Sequence, residues 1–387
     1  AGTATVSPAW EPVARRIRDE ATDDWDDRVA VERFEGKGGT FVRGEGRVVA
    51  PGTVAVGDDT FTARRAIVLA TGTEPAIPPI PGLTGLTGVP YWTNRDAIEA
   101  KELPSSLLVL GGGAVGVELA QACARFGVTV TVVEALDRLL PLETPEAGEL
   151  LARVFANEGI EVIRGVRVEQ VAREGARVAA RLSDGRTVAA AQLLVATGRR
   201  TDLSRLGVAA IGVDDNQRFV PVDENLRVTD GVWAVGDLTG KGAFTHVGTY
   251  QARIATADIL GAPHEPADYR ALPRVTFTDP EVGSVGLTPA GAAEAGFEVR
   301  TGTTQVPHTA RGWLHKAGND GFIELVEDGA RGVLVGATAA GPSGGEVLGL
   351  LTLAVHAEVP VERLREMIYA YPTFHRGVED ALRDLAG

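Results

Sequence analysis

The string Gly111-Gly112-Gly113-Ala114-Val115-Gly116 lies between an apolar run, residues 106–110, and a stretch of helical composition, residues 114–126, which Gly127 is placed to stop. Few short strings restrict a fold as tightly. A glycine at the first position permits a sharp turn. One at the second lets the main chain approach a pyrophosphate, and one at the third lets helix and strand pack closely. The helix start then presents unpaired N–H groups and the positive end of its dipole to the phosphates. A further apolar run, residues 128–133, ends at Glu134, close to the ~20-residue spacing at which a carboxylate accepts from a ribose 2′-hydroxyl. The glycine pattern alone is weak. With strand, turn, helix, strand and carboxylate in order, it predicts a dinucleotide site built from Gly111, Gly112, Gly113, Ala114, Val115, Gly116 and Glu134. The carboxylate repels a 2′-phosphate, so NAD is the expected nucleotide. NADP is admitted only as far as the nearby Arg138 offsets that charge, and Arg138 reads more simply as a solvated residue at a helix start.

The alternation extends beyond this unit. A helix over residues 144–157 and a strand over 161–163 follow, and residues 193–198 (LLVATG) closely repeat residues 67–72 (IVLATG). Two copies of strand-Ala-Thr-Gly imply two similarly built nucleotide domains with parallel sheets. Upstream, residues 10–29 read as a polar helix, and residues 40–42, 46–49 and 53–56 as strands of a small meander. A Pro-rich connector covers residues 75–81. After Pro273, strand and turn signals dominate (275–277, 322–326, 332–337), with a helix over 345–357, which suggests a separate α+β domain. The fold class expected is therefore α/β: two Rossmann-like nucleotide-binding domains plus a C-terminal α+β dimerisation domain.

Composition narrows the function classes. The formal net charge is -14 and no Lys/Arg run forms a basic stripe, so neither nucleic acid nor an anionic membrane is an expected partner. No apolar stretch is long enough to span a bilayer, and a cytoplasmic location is the default expectation. The single cysteine, Cys123, rules out a disulfide framework or a Cys-based zinc site within this sequence, and no metal is expected. Cys123 lies among alanines and reads as a packed thiol. Glu118, one turn after the glycines, reads first as a carboxylate answering the helix dipole. Asp237, after Gly236 at the end of an apolar strand, is placed to bind a sugar or ribityl hydroxyl; the plainer reading is a turn or N-cap aspartate.

Taken together, these strings resemble the pyridine nucleotide–disulfide oxidoreductases, which include dihydrolipoamide dehydrogenase, glutathione reductase, mercuric reductase and the soluble transhydrogenase. The matching pieces run in family order: ATGTEP at 70–75, the Gly111 turn with Glu118 and Glu134, ATGRR at 196–200, AVGD at 234–237, Thr245-His246, and TFTDPEVGSVGL at 276–287. The resemblance implies FAD against Thr71, Gly72 and Thr73, with Gly236 and Asp237 on its ribityl chain. It places Ala243, Phe244, Thr245 and His246 near the flavin ring and Gly46 near the adenine. Val168 and Gly198 join the Gly111 turn and Glu134 in holding the nicotinamide dinucleotide. It divides the chain into part of an FAD domain (1–86), an NAD domain (87–202), a return segment completing the FAD domain (203–270) and a dimer-interface domain (271–387), and implies a homodimer.

Three departures from the family pattern shape the functional expectation. The family's N-terminal FAD fingerprint and Cys-x4-Cys pair are not in this sequence, and the expectation is that they lie before Ala1. The family's His-Pro-Thr becomes Tyr371-Pro372-Thr373, and the carboxylate that partners this histidine becomes Arg376. A histidine–carboxylate pair shuttles protons near neutral pH; tyrosine, ordinarily titrating at about 10, does not. Nearby His375 reads as an ordinary surface residue. Ala114 replaces the tyrosine that often gates the nicotinamide pocket, so that pocket should be more open. Tyr371 and Glu118 are the candidate catalytic residues. The expected activity is FAD-dependent hydride transfer from NAD(P)H to flavin and on to a small-molecule electron acceptor, either quinone-like or a second nicotinamide nucleotide. The alternatives are a disulfide reductase with an altered dyad and a non-enzymatic NAD-binding dimer without flavin.

Overall fold

The computed structural model describes residues 6–84 and 88–385. They form two compact units. One takes the described residues of 1–15, 77–197 and 270–387; the other takes 16–76 and 198–269.

In the first unit, the strands Gln192–Val195, Ser106–Leu110, Thr129–Glu134 and Glu161–Arg164 form a parallel sheet in that order. Residues 107–110 are all buried, as a strand covered on both faces requires. Alternate side chains go to opposite cores. Leu107 and Val109 pack with Val117, Ala120, Leu151 and Phe155 from the helices Ala114–Arg125 and Pro145–Asn157. Leu108 and Leu110 pack with Val171, Val178, Ala180 and Leu182. This second cover is an antiparallel sheet of Val168–Glu174, Arg177–Leu182 and Thr187–Ala190.

Residues 270–385 add a five-stranded antiparallel sheet in the order Pro273–Thr276, Glu281–Gly286, Val333–Gly341, Phe322–Asp328, Val299–Gln305. Its two longest central strands are buried at every position, beneath the helices Gly344–His356 and Gly377–Asp384. The expected α/β class with a C-terminal α+β domain is what the chain adopts.

The second unit holds the meander Gly46–Ala50, Thr53–Val56, Asp59–Thr62 and a sheet ordered Arg227–Thr229, Val232–Ala234, Ile67–Leu69. The last two strands run parallel. Their carboxyl ends therefore bring residues 70–73 and 235–237 side by side, where loops of an open α/β sheet bind ligands. The helix Thr245–Leu260 packs below through Ile254 and Ala255 against Trp233 and Val235.

Two sequence readings are corrected. The helix expected over residues 10–29 is Trp10–Arg16 followed by a π turn, Ile17–Ala21; Asp23, Asp24 and Trp25 then take left-handed conformations before a new helix, Arg28–Glu35. Three successive positive-φ residues cannot continue a right-handed helix. Residues 40–42 form no strand; an isolated β-branched run between glycines has no ladder to join. Among the described residues, no helix is long and apolar enough to cross a membrane.

Candidate functional site

The glycines of the Gly111 turn do different work. Gly111 has φ +109°, and a Cβ there would stand 2.3 Å from the Ala196 carbonyl oxygen. A Cβ on Gly116 would stand 2.0 Å from the Gly111 carbonyl oxygen. Both are demanded by the fold itself. Gly113, the N-cap of the Ala114–Arg125 helix, has an ordinary φ of −76° and nothing within 4 Å of where a Cβ would point. No protein atom lies where a Cβ would stand, so the main chain is bare at this helix start. Ala114 and Val115 are exposed beside it.

Glu134 is 8% exposed. Its Oε2 accepts from the Gly112 N–H at 2.5 Å and its Oε1 from the Leu136 N–H at 2.8 Å. The carboxylate thus braces the turn, and a ribose would share its remaining lone pairs. Arg138 is half-buried, with Nη2 donating to the Pro141 carbonyl at 3.1 Å, so it is not the solvated residue expected. Val168 opens the first strand of the covering antiparallel sheet and is half-buried.

Glu118 is half-buried and accepts the Phe277 N–H at 2.7 Å. Burial raises its pKa, and that N–H opposes the rise. One turn on, the Gln121 amide accepts the Asp279 N–H at 2.8 Å and donates to the Asp279 carbonyl at 2.7 Å. Both side chains of the glycine-turn helix therefore hold the main chain of 277–279. Cys123 is buried and its thiol is pushed up to about 11, which makes it inert at neutral pH.

The second unit contains a cavity of about 480 Å³ lined by residues 70–73, Arg199, 235–237, 243–245 and Gly248. It gathers Thr71, Gly72, Thr73, Gly236, Asp237, Ala243, Phe244 and Thr245 around one space. Gly72 and Gly236 take φ of +66° and +78° with nothing near a Cβ, leaving two bare turns on the cavity wall. The Thr73 hydroxyl donates to Asp237 Oδ2 at 2.9 Å and accepts from Arg199 Nε at 2.5 Å. Arg199 Nη2 donates to the Thr73 carbonyl at 2.5 Å, and Arg199 Nε stands 3.5 Å from Asp237 Oδ2. The carboxylate is therefore held from one side. The first turn of the Thr245–Leu260 helix, with no side-chain cap, adds its N–H groups and dipole. His246 is exposed and stacks on Phe244 at 5.1 Å. Gly46, on the first meander strand opposite Val56, and Gly198, whose carbonyl accepts the Ala76 N–H, lie outside this lining. Arg199 lies in the ATGRR string, which by itself marks no role for it, and Gln251 carries no sequence signal.

Tyr371 is 70% exposed, and its hydroxyl makes no hydrogen bond among the described residues. The Arg376 guanidinium lies over its ring, 5.4 Å from the centroid, and pairs with Glu379 at 3.0 Å. His375 is half-buried against Tyr369 rather than on the surface, with Nε2 3.4 Å from Thr373 Oγ1.

The sequence pattern described as pyridine nucleotide-disulphide oxidoreductase matches residues 6–254, and that of the corresponding dimerisation domain matches residues 272–382. The chain is 35% identical over 363 residues to a dihydrolipoyl dehydrogenase of Chlorobaculum tepidum, covering 92% of this chain and 76% of that one. It is 30% identical over 378 residues to a mercuric reductase of Bacillus cereus, covering 96% and 59%. Among solved structures, the HOCl-induced flavoprotein disulfide reductase RclA from Escherichia coli superposes with a TM-score of 0.86 at 25% identity, covering 97% of this chain and 86% of that one. LpdA from Mycobacterium tuberculosis superposes with 0.84 at 26% identity, covering 99% and 84%.

Proposed function

The chain belongs to the pyridine nucleotide-disulphide oxidoreductases and is an NAD(P)H-dependent flavoprotein oxidoreductase of that family; from that premise we propose that its electrons go to a small acceptor that is not a dithiol, namely a quinone-like molecule or a second nicotinamide nucleotide. The observation that carries this is the Tyr371–Arg376 pair. A dithiol needs a partner group that takes up and returns a proton near pH 7, as an imidazole beside a carboxylate does. An exposed phenol under a guanidinium does not supply one. The overall balance for a quinone is NADH + H⁺ + quinone → NAD⁺ + hydroquinone.

The residues fit both cofactors. For FAD, the second unit offers two bare turns, a fixed carboxylate and an open helix start around one cavity. For the dinucleotide, Gly113 leaves the main chain uncovered at a helix N-terminus. Once bound, FAD supplies the two-electron chemistry, and the protein supplies binding, orientation and electrostatics. In this reading, Asp237 would accept from a ribityl hydroxyl while Thr73 and Arg199 keep its carboxylate aimed. Gly72 and Gly236 would allow close approach, and the uncapped N–H groups at the start of the Thr245–Leu260 helix would stabilise negative charge on the bound group. Glu134 would accept a ribose hydroxyl and, as an anion, would favour NADH over NADPH. Ala114 leaves the nicotinamide side open. Glu118 positions the 277–279 segment. The match of residues 272–382 to the dimerisation domain supports a homodimer.

Steady-state oxidation of NADH by the full chain tests the acceptor. Turnover with menadione should exceed that with lipoamide by at least about a hundredfold, the lower end of what one proton-transfer group contributes; efficient lipoamide turnover would overturn the reading. A disulfide reductase with an altered dyad is the second reading, favoured by the relatives that carry that activity in their names.

A further inference from the structure

We propose that Gln251, seconded by Tyr269, is the positioning residue of the flavin cavity, setting the gap between its two walls and the aim of Asp237. The proposal rests on the assignment of FAD to that cavity.

Gln251 is fully buried on the Thr245–Leu260 helix, with 0% exposure. Its Oε1 accepts the Gly236 N–H at 2.6 Å. Its Nε2 donates to Thr239 Oγ1 at 3.0 Å and to the Tyr269 hydroxyl at 2.8 Å. Thr239 Oγ1 in turn donates to the Gly236 carbonyl at 2.9 Å. Only one amide orientation satisfies this set, because a flip would set an NH₂ group against the Gly236 N–H. Both amide hydrogens and the carbonyl oxygen are used.

The consequence is geometric. Gly236, at φ +78° and with nothing near a Cβ, is the joint on which Asp237 is carried. Glycine there gives the turn its shape and also its freedom to depart from it. The strand Val232–Ala234 ends before Gly236, so the sheet ladder does not hold that N–H. The Gln251 side chain does, and it is rooted in the helix whose first turn forms the opposite wall. One buried amide therefore fixes the distance between the Asp237 turn and the helix start. Thr73 and Arg199 then hold the carboxylate from the side. Tyr269 anchors the amide from behind. Its ring packs edge-on to Tyr250 at 6.1 Å, and the Tyr250 hydroxyl accepts the Asp268 N–H at 2.8 Å. An apolar side chain of equal length would fill the same space but leave the Gly236 N–H unpaired.

The test is FAD binding by the full chain, followed by flavin fluorescence and visible absorption, with melting of the flavin-free protein measured in parallel. Gln251→Met should raise the FAD Kd roughly ten- to a hundredfold, the range for leaving a buried donor unpaired, and should displace the visible flavin bands. Gln251→Glu keeps an acceptor for the Gly236 N–H, and the Tyr269 hydroxyl can turn to donate, so it should recover most of the affinity. Tyr269→Phe should weaken FAD only a few-fold and serves if Gln251→Met does not fold. A lower melting temperature with unchanged Kd and spectrum in Gln251→Met, or Gln251→Glu binding no better than Gln251→Met, would make Gln251 a packing residue and overturn the proposal. Failure of the wild-type chain to bind FAD would instead remove the cavity assignment itself.

Discussion

Single atoms decide several outcomes, and the glycine turn separates fold from binding most cleanly. Gly113→Ala adds a methyl group that meets no protein atom. Its stability should stay within about 1 kcal/mol of wild type, while the NADH Kd rises about tenfold or more as the pyrophosphate loses its approach. Gly116→Ala drives a methyl into the Gly111 carbonyl and should lose several kcal/mol, roughly the overpacking range or above. Isothermal titration beside urea denaturation distinguishes the two, and equal loss of stability in both variants would refute the assignment. Glu324 makes the second case. It is 6% exposed, its Oε2 has no hydrogen-bond partner among the described residues, and burial, with a smaller contribution from Glu146, pushes it up to about 7. A carboxyl raised above its unfolded value of 4.5 holds its proton in the folded state. Stability is then greatest below the unfolded value and declines as pH rises from there to about 7, by on the order of 3 kcal/mol. Glu324→Gln should flatten that decline between pH 5 and 8 relative to wild type. Parallel curves for the two proteins would contradict it.

Among elements, the Ala114–Arg125 helix has two jobs. Its start is the dinucleotide turn, and its flank grips the main chain at 277–279 through Glu118 and Gln121. Gln121→Leu strips both bonds from Asp279 in a half-buried contact. It should lower stability by about 2 kcal/mol, read as a shifted urea midpoint at constant slope. Glu118→Gln keeps an acceptor for the Phe277 N–H and should change stability by less than about 1 kcal/mol; a larger loss would show that the charge itself matters. This helix was legible from Gly111, Gly116 and Gly127, because turn and stop residues act locally. Its contact with 277–279 was not, since nothing in Glu118 or Gln121 announces a partner 158 or 159 positions away. The covering sheet of residues 168–190 was missed for a related reason: short strands with arginines on their open face lack the apolar run that marks a buried parallel strand.

For the molecule as a whole, the exposed apolar side chains Phe277, Trp313, Leu353 and Ile368 lie within the stretch matching the dimerisation domain, Ile368 at 96% exposure. Burying such side chains between two copies is strongly favourable, about 1.5–3 kcal/mol for each one fully covered. The wild-type chain should sediment as a dimer at micromolar concentration, and Ile368→Arg should shift it toward monomer in analytical ultracentrifugation. A wild-type monomer under those conditions would argue against the homodimer.

The amino-acid sequence by itself determined the parallel α/β unit, its glycine turn, the strand ends that carry Thr71–Thr73 and Asp237, and the change to an α+β domain after Pro273. Each follows from local chemistry: which residues turn, which pair, which stop a helix. Only the tertiary structure decided that Arg199 and Thr73 hold Asp237, that Glu134 braces its own turn through Gly112, that Glu118 serves a main-chain N–H, and that Gln251 ties two cavity walls together. Those assignments depend on which polar atoms burial leaves facing one another, and a buried donor must find its acceptor wherever the folded chain has brought one.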